Sequence, residues 1–260
     1  MGADFKAGLI FEYFIKLLPF IKISLIIVGS SILVGLGVGL LVALPRMYKV
    51  PIFQRISQIY VSFFRGTPIL IQLFLIYYGV PELLKLVEVD VSRIDVLYFV
   101  ILTYGLHSAA FISEGIRASV SAVDRGQIEA AYSVGMDGYQ AFKRIIAPQA
   151  FAIWIPILGN LLIGTLKDTS LAFTLGVMEL TGQSQTLGLL NRHFIESYLA
   201  LALVYFILSA FLEKGFILLE NRFGKYERTS VEKKEKTFKI RNLFGKMNRD
   251  VVAVKEGTRL

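Results

Sequence analysis

The chain alternates between long uncharged blocks and short charged connectors. Residues 23–44 form an apolar run of about 22 residues, and 96–113 and 147–166 form runs of roughly 18 and 20. Each is long enough to cross roughly 30 Å of hydrocarbon as a helix. A shorter run, 66–80, holds about 15 residues, so its helix is expected to recruit part of 56–64. The 147–166 run predicts a span at about 148–166, and a further span is predicted at about 197–219, interrupted near its end by Glu213 and Lys214. Ahead of the first block, residues 1–22 carry Leu9, Ile10, Tyr13, Phe14, Leu17 and Leu18 at helical spacing, which predicts a short amphipathic lead-in. The stretch from Lys167 to Glu196 is moderately polar and rich in Gly, Thr and Ser. The fold class that follows is all-α: a polytopic helical membrane protein with about five transmembrane helices.

Composition agrees. The 260 residues are 55% hydrophobic and only 18% charged, too few charges to cover a soluble domain of this length. The first block does not read as a cleavable leader, because it is too long and Leu44-Pro45-Arg46 is no cleavage site. Gly29, Gly35, Gly37 and Gly39 lie in a wholly apolar run with no strand before them, so they predict close helix packing rather than a nucleotide loop. Cysteine is absent, which excludes disulfides and thiolate metal sites.

The net charge of +8 is uneven. From Arg222 onward twelve Lys/Arg face five Asp/Glu, leaving the rest nearly neutral. Connector 45–65 carries Arg46, Lys49, Arg55 and Arg65 with no acid, connector 114–146 is of mixed charge and holds four more Lys/Arg, and connector 81–95 is net acidic. Basic segments prefer the cytoplasmic side. Five spans then predict an outside N-terminus and a cytoplasmic C-terminus. Three parts follow: the segment 1–22, a transmembrane domain 23–221 and a basic tail 222–260. The tail reads either as a basic helix on the inner leaflet or as a solvated extension. Its interleaved acids and scattered aromatics disfavour nucleic acid.

The connector between the third and fourth spans, about 117–148, carries Glu129-Ala130-Ala131, three residues, Gly135, nine residues, Ile145, one residue, and Ala147-Pro148. An Ala-rich helix from Glu129 to Val134, stopped by Gly135, is expected, with Glu129 near its start suiting the helix dipole. Pro148 is expected to open the next span. The spacing resembles the Glu-Ala-Ala loop of ATP-binding-cassette importer permeases, which usually have Leu where Ala147 stands. The run Phe64-Arg65-Gly66-Thr67-Pro68-Ile69-Leu70-Ile71-Gln72-Leu73 and the segment Lys167-Asp168-Thr169-Ser170-Leu171, with Glu179-Leu180 after it, resemble the polar-amino-acid branch. Glu114, Arg117 and Gln127 also match that family, and the likeness covers roughly 20–224.

The resemblance implies a permease subunit in a bacterial cell membrane. It implies two ATP-binding subunits docking at Glu129, Ala130, Ala131 and Gly135, a second permease, self or homologous, and an extracytoplasmic amino-acid-binding protein. The sequence has no Gly-x-x-x-x-Gly-Lys-Ser/Thr loop, so ATP hydrolysis falls to a separate subunit, and no cofactor or metal is expected. Ionisable residues at membrane depth are candidate site residues. Lys167, Asp168, Thr169, Ser170 and Glu179 supply both the donors and the acceptors that an amino acid needs, in what reads as a broken helix. The competing reading makes Lys167 and Asp168 an interfacial anchor and points Glu179 at outside water. Gln72 and His107 read as helix-to-helix bonds, and Glu114 with Arg117 as an ion pair at the helix end. A partner-independent secondary transporter or channel, or a membrane scaffold, are the other classes. The first predicts inverted repeats, and none is visible.

Overall fold

A computed structural model describes residues 4–91 and 93–223. The expected basic tail falls, beyond Phe223, outside the described residues. Within them every regular element is helical.

The amphipathic lead-in is α1, Ala7–Leu17. A 3₁₀ turn holding Pro19 joins it to α2, Ile21–Met47, and the two form one 41-residue helical run. The lead-in is therefore continuous with the first span. Its apolar face is spent on protein: Tyr13 and Leu17 are buried against Leu187, Ala200 and Leu201.

Helix α3, Pro51–Gly66, and α4, Ile69–Phe74, do not merge into the single helix expected from recruitment of 56–64. The chain turns by 113° between them. Pro68 is the cause: its ring disfavours helical geometry at the residue before it, and Thr67 is extended at φ −113, ψ 143. The turn frees backbone carbonyls that hydrocarbon cannot hydrate. Thr67 Oγ1 donates to Phe63 O, and Gln72 Nε2 donates to Phe64 O and Thr67 O.

A π-helical turn, Leu75–Gly79, leads to α5, Val80–Lys85. A second, Phe142–Ile146, connects α8, Gly138–Ala141, to α9, Ala147–Asp168. Each ends two residues before a proline, Pro81 and Pro148. The wider turn lets the helix pass a residue that has no N–H and a bulky ring. Pro148 stands in the first turn of α9, as expected, while the continuous helical run around it, Gly138–Leu175, starts earlier. The start belongs to Asp137, which accepts from Gln140 N at 2.8 Å in a capping box.

Helix α6, Val96–Ala122, runs past its expected end at 113. Glu114 does not break it, because Arg117 on the same helix and Arg46 of α2, 2.8 Å away, neutralise the carboxylate. After α7, Arg125–Ser133, and the α8–α9 run come α10, Leu180–Asn191, and α11, Phe194–Phe223. Four helical runs are long and apolar enough to span a membrane, and the bent α3–α4 pair makes a fifth.

The centre of the bundle is the seam between α2 and α6. Ser31, Gly35, Gly39 and Ala43 recur every fourth residue and are all buried. Small residues on one stripe let two backbones approach closely, which is how apolar helices associate where lipid is no worse a solvent than protein. A methyl group at Gly39 would meet Ile112 Cγ2 at 2.8 Å, and one at Gly105 would meet Val34 Cγ1 at 2.7 Å. Gly29 and Gly37 face open space, so only two of the four glycines of this block serve the expected packing.

This seam yields a paired test. Gly39→Val should destabilise by about 1–3 kcal/mol through overpacking, whereas Gly37→Val should be nearly silent. Thermal melting of the purified protein in detergent reads both; equal melting temperatures would contradict the seam.

Candidate functional site

Two regions gather the polar side chains. The first is a cavity of about 380 Å³ between α6 and α9. Helix α6 contributes His107 and Phe111; α9 contributes Trp154, Asn160, Thr165 and Asp168. The two helices run antiparallel, and Tyr104 of α6 donates to the Asp168 carbonyl at 2.5 Å. Tyr104 lies two helical turns inside α6, about 12 Å from its start. Asp168 is therefore at membrane depth, where a carboxylate needs a reason to be present. Asp168 lines the cavity, and no cation among the described residues pairs with its carboxylate.

The other four residues of the expected set do not line this cavity. Lys167 is exposed and Ser170 half-buried. Thr169 is fully buried and donates to Leu166 O at 2.6 Å. Glu179 is also fully buried and is the N-cap of α10. One of its oxygens accepts from Thr181 N at 2.9 Å and Gly182 N at 3.0 Å, and the other from Tyr205 Oη at 3.2 Å. Between Asp168 and Glu179 the helix tightens to a 3₁₀ turn, Thr169–Leu175, and stops at Gly176, whose φ of +88° suits a residue without Cβ. This is the broken helix that the polar composition suggested.

Gln72 and His107 bond to each other across the helices, His107 Nδ1 standing 3.0 Å from Gln72 Oε1. Glu114 and Arg117 form the expected pair, with Arg46 as a third member that the sequence reading did not connect. Also missed were Asn160 and Thr165. A signal existed: Asn160, Gly164 and Asp168 recur every fourth residue along α9 and share one stripe.

The second region is the connector carrying α7. This helix begins earlier than expected, at Arg125 rather than Glu129, because Asp124 caps it by accepting from Gly126 N at 2.8 Å. Glu129 consequently sits in the second turn, and the favourable place at the N-terminus belongs to Asp124. The stop is as expected. Gly135 takes φ +83°, its N–H bonds Tyr132 O, and Met136 N bonds Ala131 O. This double bond pattern satisfies the last carbonyls of the helix. Glu129, Ala130 and Gly135 are exposed while Ala131 is buried, and Tyr132 and Val134 present apolar surface beside them. Arg46 and Arg117 meet on Glu114 near the end of α6 that leads to α7, and Arg125, Lys143 and Arg144 lie on α7 and on the π-helical turn after α8.

Comparison with known proteins adds to this geometry. Residues 35–224 match the family model for the inner membrane component of binding-protein-dependent transport systems. The chain is similar to the L-cystine transport system permease protein TcyL of Bacillus subtilis (strain 168), with 44% identity over 86% of this chain and 94% of that protein. It is also similar to the probable amino-acid permease protein YxeN of the same organism, with 42% identity over 83% of this chain and 95% of that protein. Among solved structures, an amino acid ABC transporter crystallised with histidines superimposes with a TM-score of 0.72 at 31% identity, covering 85% of this chain and all of that one.

The Glu179 environment generates a stability prediction. Glu179→Ala removes the α10 cap and the acceptor of the Tyr205 hydroxyl, leaving that hydroxyl the longer contact with Thr181 Oγ1 at 3.4 Å, at a cost of about 1–3 kcal/mol. A lowered melting temperature in detergent checks it; an unchanged one would mean that the cap is dispensable.

Proposed function

The chain belongs to the inner membrane components of binding-protein-dependent transport systems, the permease subunits of ABC importers, and from that membership we propose that it carries a polar amino acid inward between α6 and α9. It is a bacterial membrane protein and not an enzyme; in this family ATP hydrolysis belongs to a separate subunit. The observation that carries the substrate reading is Asp168, which lines a cavity between α6 and α9 and has no cation paired to it among the described residues. It offers an acceptor for the ammonium that every amino acid has. Asn160 and Thr165 add neutral polar groups on the same wall. The similarity to the L-cystine permease makes L-cystine the first substrate to test.

In this reading the basic end of the bundle is cytoplasmic, following the preference of Lys and Arg for that side. Two ATP-binding subunits dock on α7 of this chain and of a second permease, and an extracytoplasmic binding protein delivers the amino acid. The mechanics rest on connectivity. Helix α6 leads into α7, and α7 leads through α8 into α9. The two walls of the cavity are thus joined at one end by the docking helix. Movement of α7 by the ATPases tilts α6 against α9 and opens the cavity to one side or the other.

Two variants test the two halves of this reading. Glu129→Lys places a repelling charge on the exposed face of α7, and a lost charge-assisted contact costs roughly tenfold in affinity. It should reduce copurification of the ATP-binding subunit and abolish uptake; normal assembly and uptake would refute docking at α7. Asp168→Asn should raise the KM for uptake about tenfold by replacing a charged acceptor with a neutral one, with assembly intact. An unchanged KM would refute the carboxylate's role.

A further inference from the structure

The cavity has a second acceptor whose identity follows from hydrogen-bond accounting. Gln72 is buried at 1% exposure beside the Thr67-Pro68 turn. Its amide faces Phe64 O at 2.8 Å, Thr67 O at 2.9 Å and Thr67 Oγ1 at 2.9 Å. The two carbonyls only accept. The threonine hydroxyl has already given its hydrogen to Phe63 O, so it too accepts. Three acceptors fix the amide nitrogen on that side and turn Oε1 toward His107. Oε1 accepts, so the ring nitrogen opposite it, Nδ1 at 3.0 Å, carries the proton. In the neutral ring Nε2 then holds a lone pair. No side chain among the described residues bonds it, and the ring lines the cavity opposite Asp168, packed against Phe111 at 4.9 Å.

We propose that His107, locked in its Nδ1–H form by Gln72, is a specificity-determining residue whose Nε2 accepts an N–H from the transported amino acid. This deepens the reading of the cavity as the amino-acid path and rests on it. An ammonium carries three hydrogens, and one carboxylate at one wall does not meet them all. Asp168 on α9 and His107 Nε2 on α6 approach from opposite walls, one charged and one neutral. The pair selects ligands rich in N–H donors and disfavours carboxylate-only solutes, which would set a negative charge against both acceptors. It also connects recognition to the bend. The same glutamine that satisfies the carbonyls freed by Pro68 orients the ring that meets the substrate.

The test uses side-chain isosteres in the full complex of this chain with its ATP-binding subunit and binding protein, with radiolabelled L-cystine and L-glutamine as probes. In His107→Asn the amide nitrogen takes the place of Nδ1, so the bond to Gln72 survives and the cavity acceptor is lost. In His107→Gln the amide oxygen reaches the place of Nε2, so the acceptor survives and the bond to Gln72 is lost. The proposal expects KM for the transported probe to rise about tenfold in His107→Asn, the worth of one hydrogen bond to a charged donor, and to change by less than about threefold in His107→Gln. The reverse order, with Asn tolerated and Gln damaging, would show a purely structural helix contact and overturn it. Copurification of the ATP-binding subunit reports whether each variant folds. Asp168→Asn run alongside separates the two levels. If it raises KM and His107→Asn does not, only the histidine's role fails; if neither does, the cavity is not the path.

Discussion

The close approach of α2 and α6 is the constraint on which the remaining structure depends. No hydrophobic force drives two apolar helices together in lipid, so contact must come from packing and from hydrogen bonds. The stripe of Ser31, Gly35, Gly39 and Ala43 supplies the packing, and Ile112, Ala109 and Gly105 fit against it. At one end the seam is closed by Arg46, Glu114 and Arg117. A partly buried ion pair is weak evidence of net stability, but here it lets α6 continue as a helix through a charged residue and toward α7. With α6 fixed on α2, its other face is free to build the cavity with α9.

The cavity and the exposed helix α7 are two ends of one construction. Antiparallel α6 and α9 form the walls, and the same two helices converge on α7 and α8 beyond the membrane. The polar residues divide by task. Glu179, Thr169 and Tyr205 have their hydrogen-bonding groups engaged within the fold and hold the broken helix in shape. Asp168 and His107 line the space between the walls, and of the two only His107 Nδ1 has a side-chain partner among the described residues.

Much of this was legible in the sequence. Five apolar blocks gave the span number, because 20 apolar residues in a row have few other uses. The Glu129 to Gly135 spacing located the exposed helix, and Gly135 stops it as its lack of Cβ allows. The misses have local causes. Periodicity does not report the 113° turn, which depends on how Pro68 reshapes Thr67. Composition does not say which glycines face a neighbour, so Gly29 and Gly37 resembled Gly35 and Gly39. The polar run 167–179 was read as one set of candidates, yet a tightening turn sends Asp168 to the cavity and Glu179 into the core. Nor does sequence distance reveal that Arg46 meets Glu114.

The central claim is that this chain is moved by ATP acting through α7 and not by an ion gradient through the bundle. Proteoliposomes holding the complete complex, with the binding protein and L-cystine or L-glutamine on the opposite side from α7, measure this directly. The account predicts uptake that requires ATP on the α7 side and survives an ionophore that collapses all ion gradients. Uptake that persists without the ATP-binding subunit and vanishes with the ionophore would contradict it.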